Sequence, residues 1–276
     1  MPDESFIEKM LHKMVKKHIA GTTMSAALAK AEDLNRRKIP ASITFLTGNV
    51  GNKSRTRYVT ITYMELIRRI SRLGLKASVH VPSGQVGLGI DQDCALKNIK
   101  DIIATGNKYG VFVWLEVEGP ESLPLERLDG ARGYGFAFPE HNVKKFARLS
   151  ARLGSAKILF DDEKEAMHAK SALLLKDLGG IFKGSNNVVL SSPPEKLAGS
   201  LANGSKYRGK VALEFKLGYS GKKLGRLTKK GARISVMVPF GKDWISFAMN
   251  RVPEGYMRFL ANSLLNEKGR AGVREP

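Results

Sequence analysis

The sequence predicts an α/β protein folded as one (βα)8 barrel of the TIM type, with extra helices at its N-terminal end. Three observations carry this expectation. Eight short apolar segments rich in β-branched and aromatic residues recur along the chain, most are followed by a helical stretch, and 276 residues match the roughly 250 of such a barrel. An open doubly wound sheet is the structural alternative, but no G-x-G-x-x-G follows the first strand. Residues 1–38 are expected to pack on the barrel as N-terminal helices, and residues 39–276 to form the barrel itself.

Taken in order, 5–20 reads as an amphipathic helix. Phe6, Ile7, Met10, Leu11, Met14, Val15 and Ile19 share one face, with Lys9, Lys13, Lys16 and Lys17 off it. It closes one end of the fold or lies on a membrane surface. Gly21 ends it, Thr22 or Thr23 can cap the next helix, and 24–38 is rich in Ala and Leu. The predicted strands are 41–46, 77–81, 111–117, 134–138, 156–160, 187–191, 211–217 and 232–238. Good helices follow the first, second, fifth and eighth, at 58–73, 94–109, 163–178 and 244–265. The third unit is poor, since GPESLPLERLDGARG holds at most a short helical turn.

The stretch ARISVMVPFGKDWISFAMNR, 232–251, is the most informative. Ile234, Val236 and Val238 form a buried strand, Pro239 and Gly241 break it, and Asp243 can cap a helix that carries Arg251 near a strand's C-terminal end. Ligands bind at that end of a parallel barrel, and a guanidinium there offers bidentate recognition of a carboxylate or phosphate. A surface arginine on an amphipathic helix would look the same.

Composition excludes several classes. The single Cys94 cannot form an intrachain disulfide and reads as a small helix residue in a reducing, cytoplasmic setting. No apolar run reaches the length of a membrane span, and MPDESFIEKM carries acids where a secretion signal carries bases, so a chain that is cytoplasmic, or at most peripheral to a membrane, is expected. The five histidines lack metal-ligand spacing, so no metal site is expected, and no Ser or Cys sits in a nucleophile elbow. The glycines of SGQVGLGID and those at 199 and 204 fit neither a dinucleotide fingerprint nor a phosphate loop.

The segments KKHIAGTTMSAALAKAEDLNRR, ASVHVPSGQVGLGID, YGVFVWLEVE and, above all, VPFGKDWISFAMNR resemble successive landmarks of the proline dehydrogenase family. The resemblance implies a barrel that holds FAD at the C-terminal ends of its strands and oxidises L-proline, or a related cyclic amino acid, to pyrroline-5-carboxylate by hydride transfer to the flavin. Carried over residue by residue, the family's carboxylate-clamping arginine pair falls on Asn250 and Arg251. Its second-strand lysine falls on His80, its third-strand aspartate on Glu116 and its eighth-strand tyrosine on Met237. On the flavin side the fifth-strand arginine falls on Lys157, which would supply positive charge near the flavin or, as a plain surface residue, form a solvated strand end. The sixth-strand pair falls on Ser191 and Ser192, a backbone contact on Val117 and a family glutamate on Glu254. One fixed cation and a histidine thus replace three cations around the substrate carboxylate.

Two functions follow: an FAD-dependent oxidoreductase of the proline dehydrogenase type, or a catalytically inactive barrel that binds an anionic partner. The formal charge of +20 supports an anionic partner in either case. Residues 1–80 hold 15 Lys and Arg against 6 Asp and Glu, residues 81–200 hold 15 against 15, and residues 201–276 hold 16 against 5. Closure of the barrel would merge the two ends into one basic flank suited to anionic lipid, an acidic protein or nucleic acid. Nucleic acid is the weakest of these because no reading motif accompanies the lysines. An anionic membrane, met when electrons pass to a quinone, fits the enzyme reading best.

Overall fold

The computed structural model describes residues 17–47, 50–119, 125–128, 132–160, 181, 187–203 and 211–243. Eight parallel strands close into a barrel in sequential order, β1 (Ala41–Phe45), β2 (Ala77–Pro82), β3 (Val113–Glu116), β4 (Tyr134–Pro139), β5 (Ser155–Leu159), β6 (Asn187–Ser191), β7 (Val211–Lys216) and β8 (Arg233–Phe240). The last strand pairs with the first, Ala41 opposite Val236 and Phe45 opposite Phe240. Every strand predicted from the sequence is present, with ends shifted by two residues at most.

Around the described part of the barrel stand α1 (Met24–Arg36), α2 (Lys53–Arg72), α3 (Gln92–Tyr109), α4 (Val143–Leu153), α5 (Glu195–Ala202) and α6 (Gly221–Lys229). Side-chain caps explain several starts: Thr23 accepts from the amide of Ala26, Asn52 from that of Arg55 and Asp91 from that of Cys94. The α2 helix buries Thr56, Val59, Tyr63, Leu66, Ile67 and Ile70, a three-four spacing that keeps one face on the barrel. The α1 helix packs on β8 and β1. The poor third unit contains the expected short turn, a 3-10 segment at Leu125–Leu128.

Three expectations change. Lys17 to Ala20 are not helical; Lys17 and His18 form a turn and Ala20 donates its amide to the Pro239 carbonyl. Residues 5–16, the rest of that amphipathic segment, lie outside the described residues. The helix expected at 58–73 starts five residues earlier, because the Asn52 cap recruits the polar turn KSRTR. Pro239 does not break β8. Its missing amide is harmless where the chain leaves the sheet, and its carbonyl still binds Ala20. The strand turns off at Gly241, whose φ of 144° and near contact with the Leu46 carbonyl exclude any side chain. The helices expected at 163–178 and 244–265 lie outside the described residues.

Strand alternation sorts the core into two clusters. Outward residues such as Ile43, Val79, Leu115, Phe136, Ile158, Leu190, Leu213 and Val238 join the helices in one large apolar shell. Each such fully buried side chain contributes about 1.5–3 kcal/mol. The inward residues Trp114, Ala137, Val189 and Ala212 form a separate, small cluster, with Phe112 and Leu159 against it. Much of the rest of the lumen is polar.

Candidate active site

The polar lumen is built from positions where the alternation turns side chains inward on β1, β2, β3, β5, β6 and β7. Lys157 lies at its centre, with no exposed surface. Its ammonium lies 3.0 Å from Ser42 Oγ, 2.9 Å from Glu214 Oε2 and 3.3 Å from His80 Nδ1. Three donors thus meet three acceptors, and the remaining ring nitrogen, His80 Nε2, donates to Glu116 Oε2 at 2.6 Å. Glu214 is itself held by Ser191, whose hydroxyl donates to Oε1 at 2.9 Å. The result is one continuous chain, Glu116–His80–Lys157–Glu214–Ser191.

Two neighbours set the shape of this chain. Tyr63, wholly buried on α2, donates to the His80 carbonyl at 3.0 Å and accepts the Phe45 amide at 3.2 Å, which fixes the backbone behind the imidazole. Burial pushes its phenol well above the usual value, so it stays a donor. The Trp114 ring lies 5.3 Å from the Lys157 ammonium, within cation–π range. That ring fits only because β4 carries Gly135, where a Cβ would come within 2.7 Å of the indole.

Electrostatics differ along the chain. Burial lowers the Lys157 pKa below its usual 10.5, and the charge and hydrogen bond of Glu214 oppose that shift without cancelling it. Burial pulls the Glu116 carboxyl upward, but the His80 hydrogen bond and the positive charge behind it prevail and hold the group below its usual 4.5. Glu214 is sealed from solvent, whereas the Glu116 side chain keeps about a third of its surface exposed. The carboxylate at the C-terminal end of β3 is therefore an ionised group facing the barrel mouth, braced from beneath.

His80, Glu116, Lys157 and Ser191, all singled out in the sequence, are brought together in this network. Met237 shares the lumen, opposite Ser42 on β1 and Lys216 on β7. Lys157 is no solvated strand end; it occupies the middle of β5 and its charge is spent on Glu214. Val117 gives its amide to the Ala137 carbonyl and its side chain to the outer shell. Ser192 is different. Its Oγ is buried and has no hydrogen-bond partner among the described residues, and its backbone has a φ of 57°, unusual for a residue with a side chain. Asn250, Arg251 and Glu254 lie outside the described residues. Sequence reasoning missed Ser42, Trp114 and Glu214. A lone acid inside the apolar strand VALEFKL was the available signal, answered by a lone base inside AKILF.

No family model matches the chain. It is similar to Proline dehydrogenase 1 of Bacillus subtilis subsp. natto, 23% identical over 266 residues that cover 87% of this chain and 86% of that protein. Proline dehydrogenase of Deinococcus radiodurans is 22% identical over 283 residues, 91% of this chain and 89% of the other. The curated relatives are divergent proline dehydrogenases. Among solved structures, proline utilization A from Bdellovibrio bacteriovorus, inactivated by N-propargylglycine, superposes with a TM-score of 0.71 at 14% identity, over 90% of this chain and 33% of that one. Proline utilization A from Corynebacterium freiburgense gives 0.66 at 14% identity, over 93% and 32%. These likenesses establish the barrel, and the chain spans about a third of the length of those longer proteins. Among the described residues no helix is long and apolar enough to cross a membrane, and no cluster of His, Cys, Asp and Glu could hold a metal ion.

Proposed function

We propose that this chain is an FAD-dependent oxidoreductase that oxidises proline, or a related cyclic amino acid, to the corresponding cyclic imine at the C-terminal mouth of the barrel. The observation that carries this reading is the braced Glu116–His80 pair, 2.6 Å apart. It occupies the second-strand and third-strand positions of a chain similar along about nine-tenths of its length to proline dehydrogenases.

Oxidising a secondary amine to an imine removes a hydride from the carbon beside nitrogen and a proton from the nitrogen itself. FAD, when bound, supplies the hydride acceptor. Glu116, ionised and facing the mouth, is suited to hold the substrate's amine by a charge-assisted hydrogen bond. His80 fixes the direction of that carboxylate, and Lys157 sets the charge behind the pair. Arg251 and Asn250 would take the substrate carboxylate, with Met237 as lumen wall. On the cofactor side, the unpartnered Ser192 hydroxyl fits a ribose or phosphate oxygen, and Glu254, Val117 and the Ser191 backbone would border it. Lys157 does not fit a direct contact with the cofactor, since all its donors are taken. The electrons would then pass to a quinone at an anionic membrane, approached by the basic flank.

A second reading, a barrel that binds an anion without oxidising anything, is favoured by that same commitment of Lys157. The test separates the two. After incubation with FAD and removal of the excess, the protein is expected to keep a flavin visible spectrum and to reduce a redox dye only when proline or a cyclic analogue is added, with Arg251→Ala raising KM. A protein that holds no flavin and reduces no dye with any of these amino acids would leave only the binding reading.

A further inference from the structure

Among the described residues, the opposite end of the barrel surrounds a cavity. A cavity of about 830 Å³ enters from the N-terminal ends of the strands, within the range of small-molecule sites. It exists because inward positions there carry Ser78, Ala212 and Ser235, where a barrel of this kind is normally filled by Val, Ile and Leu. Phe112 and Trp114 line it as a pair of rings 4.8 Å apart and inclined by 56°. Arg37, Lys38, Lys76, Lys229 and Arg233 line it too, and all five are exposed. Among the described residues Glu214 is the only acid in the lining, and Lys157 neutralises it.

The rim is also built. The α1 helix ends in a pair of bonds, Lys38 amide to Asn35 carbonyl and Ile39 amide to Leu34 carbonyl, a motif that places its left-handed residue at 38. Glycine normally stands there. This chain puts a lysine in that position, at a φ of 60°, and strain of this sort collects where a side chain is needed. One residue type sets the adjoining cation: the Asn35 side chain accepts the Lys76 amide at 2.6 Å and donates to the Lys76 carbonyl at 3.2 Å, which fixes the start of β2 beside the end of α1.

We propose that the N-terminal end of the barrel is a second ligand site, separate from the mouth, that takes a small planar aromatic molecule bearing a phosphate or similar anion. The ring goes to the Phe112–Trp114 wall and the anion to the rim cations. Neither element suffices alone: the rings give no reason for five cations, and the cations give no reason for an aromatic wall behind them.

The experiment uses the full chain with Trp244→Phe, so that Trp114 is the sole emitter of the two tryptophans. Adenosine 5′-monophosphate, adenosine and inorganic phosphate are titrated separately by Trp fluorescence and calorimetry. Saturable binding and a Trp114 response are expected for the monophosphate, with both fragments far weaker. Lys38→Gly is the informative variant, because it relieves the backbone and so keeps or raises Tm while making the monophosphate bind about tenfold more weakly, the worth of one charge-assisted contact. Phe112→Ala should weaken it as well. A flat titration overturns the proposal, and so does inorganic phosphate binding as tightly as the monophosphate. Binding that responds to Ser192→Ala and not to Lys38→Gly places the ligand at the mouth and overturns it equally.

Discussion

The two faces of the same eight strands obey different rules. Outward, every strand offers apolar side chains to the helices and, among the described residues, the buried shell contains no charge; inward, two fully enclosed charges, a histidine and two serines share the space with a small apolar cluster around Trp114. The difference separates stability from chemistry. Apolar contact is non-directional and additive, so the outer face can hold the barrel closed whatever the lumen contains. A buried ion pair gains little net stability once desolvation is counted, so the lumen's charges need a reason other than holding the fold.

The largest effect should come from the outer face. Phe136 is fully buried against Tyr134 and Phe146, and Phe136→Ala is expected to cost about 3–5 kcal/mol in urea unfolding without altering any binding at the mouth. In the lumen, Lys157→Met should cost a comparable amount, because it strands Glu214 without its counter-ion. The double variant Lys157→Met, Glu214→Leu should recover most of that loss. Losses that simply add would mean that the lumen behaves like the shell, and the comparison would fail. The smallest effect concerns Glu116. Its folded carboxyl lies below 4.5, so its contribution to stability is present above the unfolded value and fades as pH falls through the folded one. The stability gap between wild type and Glu116→Gln should therefore shrink from neutral pH into the acid range. A gap that stays constant would show that the His80–Glu116 bond does not depend on the carboxylate charge.

The outer face was legible in the sequence and the lumen only partly so. A strand such as NVVLS announces itself by β-branched residues in a short run, and all eight strands were found that way. Lys157 was seen, but not the depth at which it lies. AKILF suggested a strand that starts just before the lysine, whereas β5 begins at Ser155 and puts Lys157 at its centre. Its partner Glu214 lies 57 residues further on, and nothing local links the two. Trp114 was read as one more apolar strand residue, since its place over Gly135 depends on a register between strands that only the closed barrel defines. The non-helical course of Lys17 to Ala20 was hidden by an amphipathic pattern that continues smoothly to Ile19. What holds Ala20 in place is a sheet carbonyl, that of Pro239, more than 200 residues away.

Closure between β1 and β8 also bears on how the chain is made. While the ribosome is still adding residues, β1 has β2 on one side and nothing on the other, and its open edge stays unpaired until residues 233–240 have emerged. The segment that leads into α1 waits as long, because Ala20 bonds to the last strand, Gly21 to Gly241 just after it and His18 to the Leu217 carbonyl just after β7. At usual synthesis rates of about 5–20 residues per second, that leaves an apolar strand edge exposed for roughly ten seconds or more. Such long-range pairing also makes folding slow once synthesis ends. Protection of the nascent β1 edge is therefore a requirement that this architecture places on the cell that makes it.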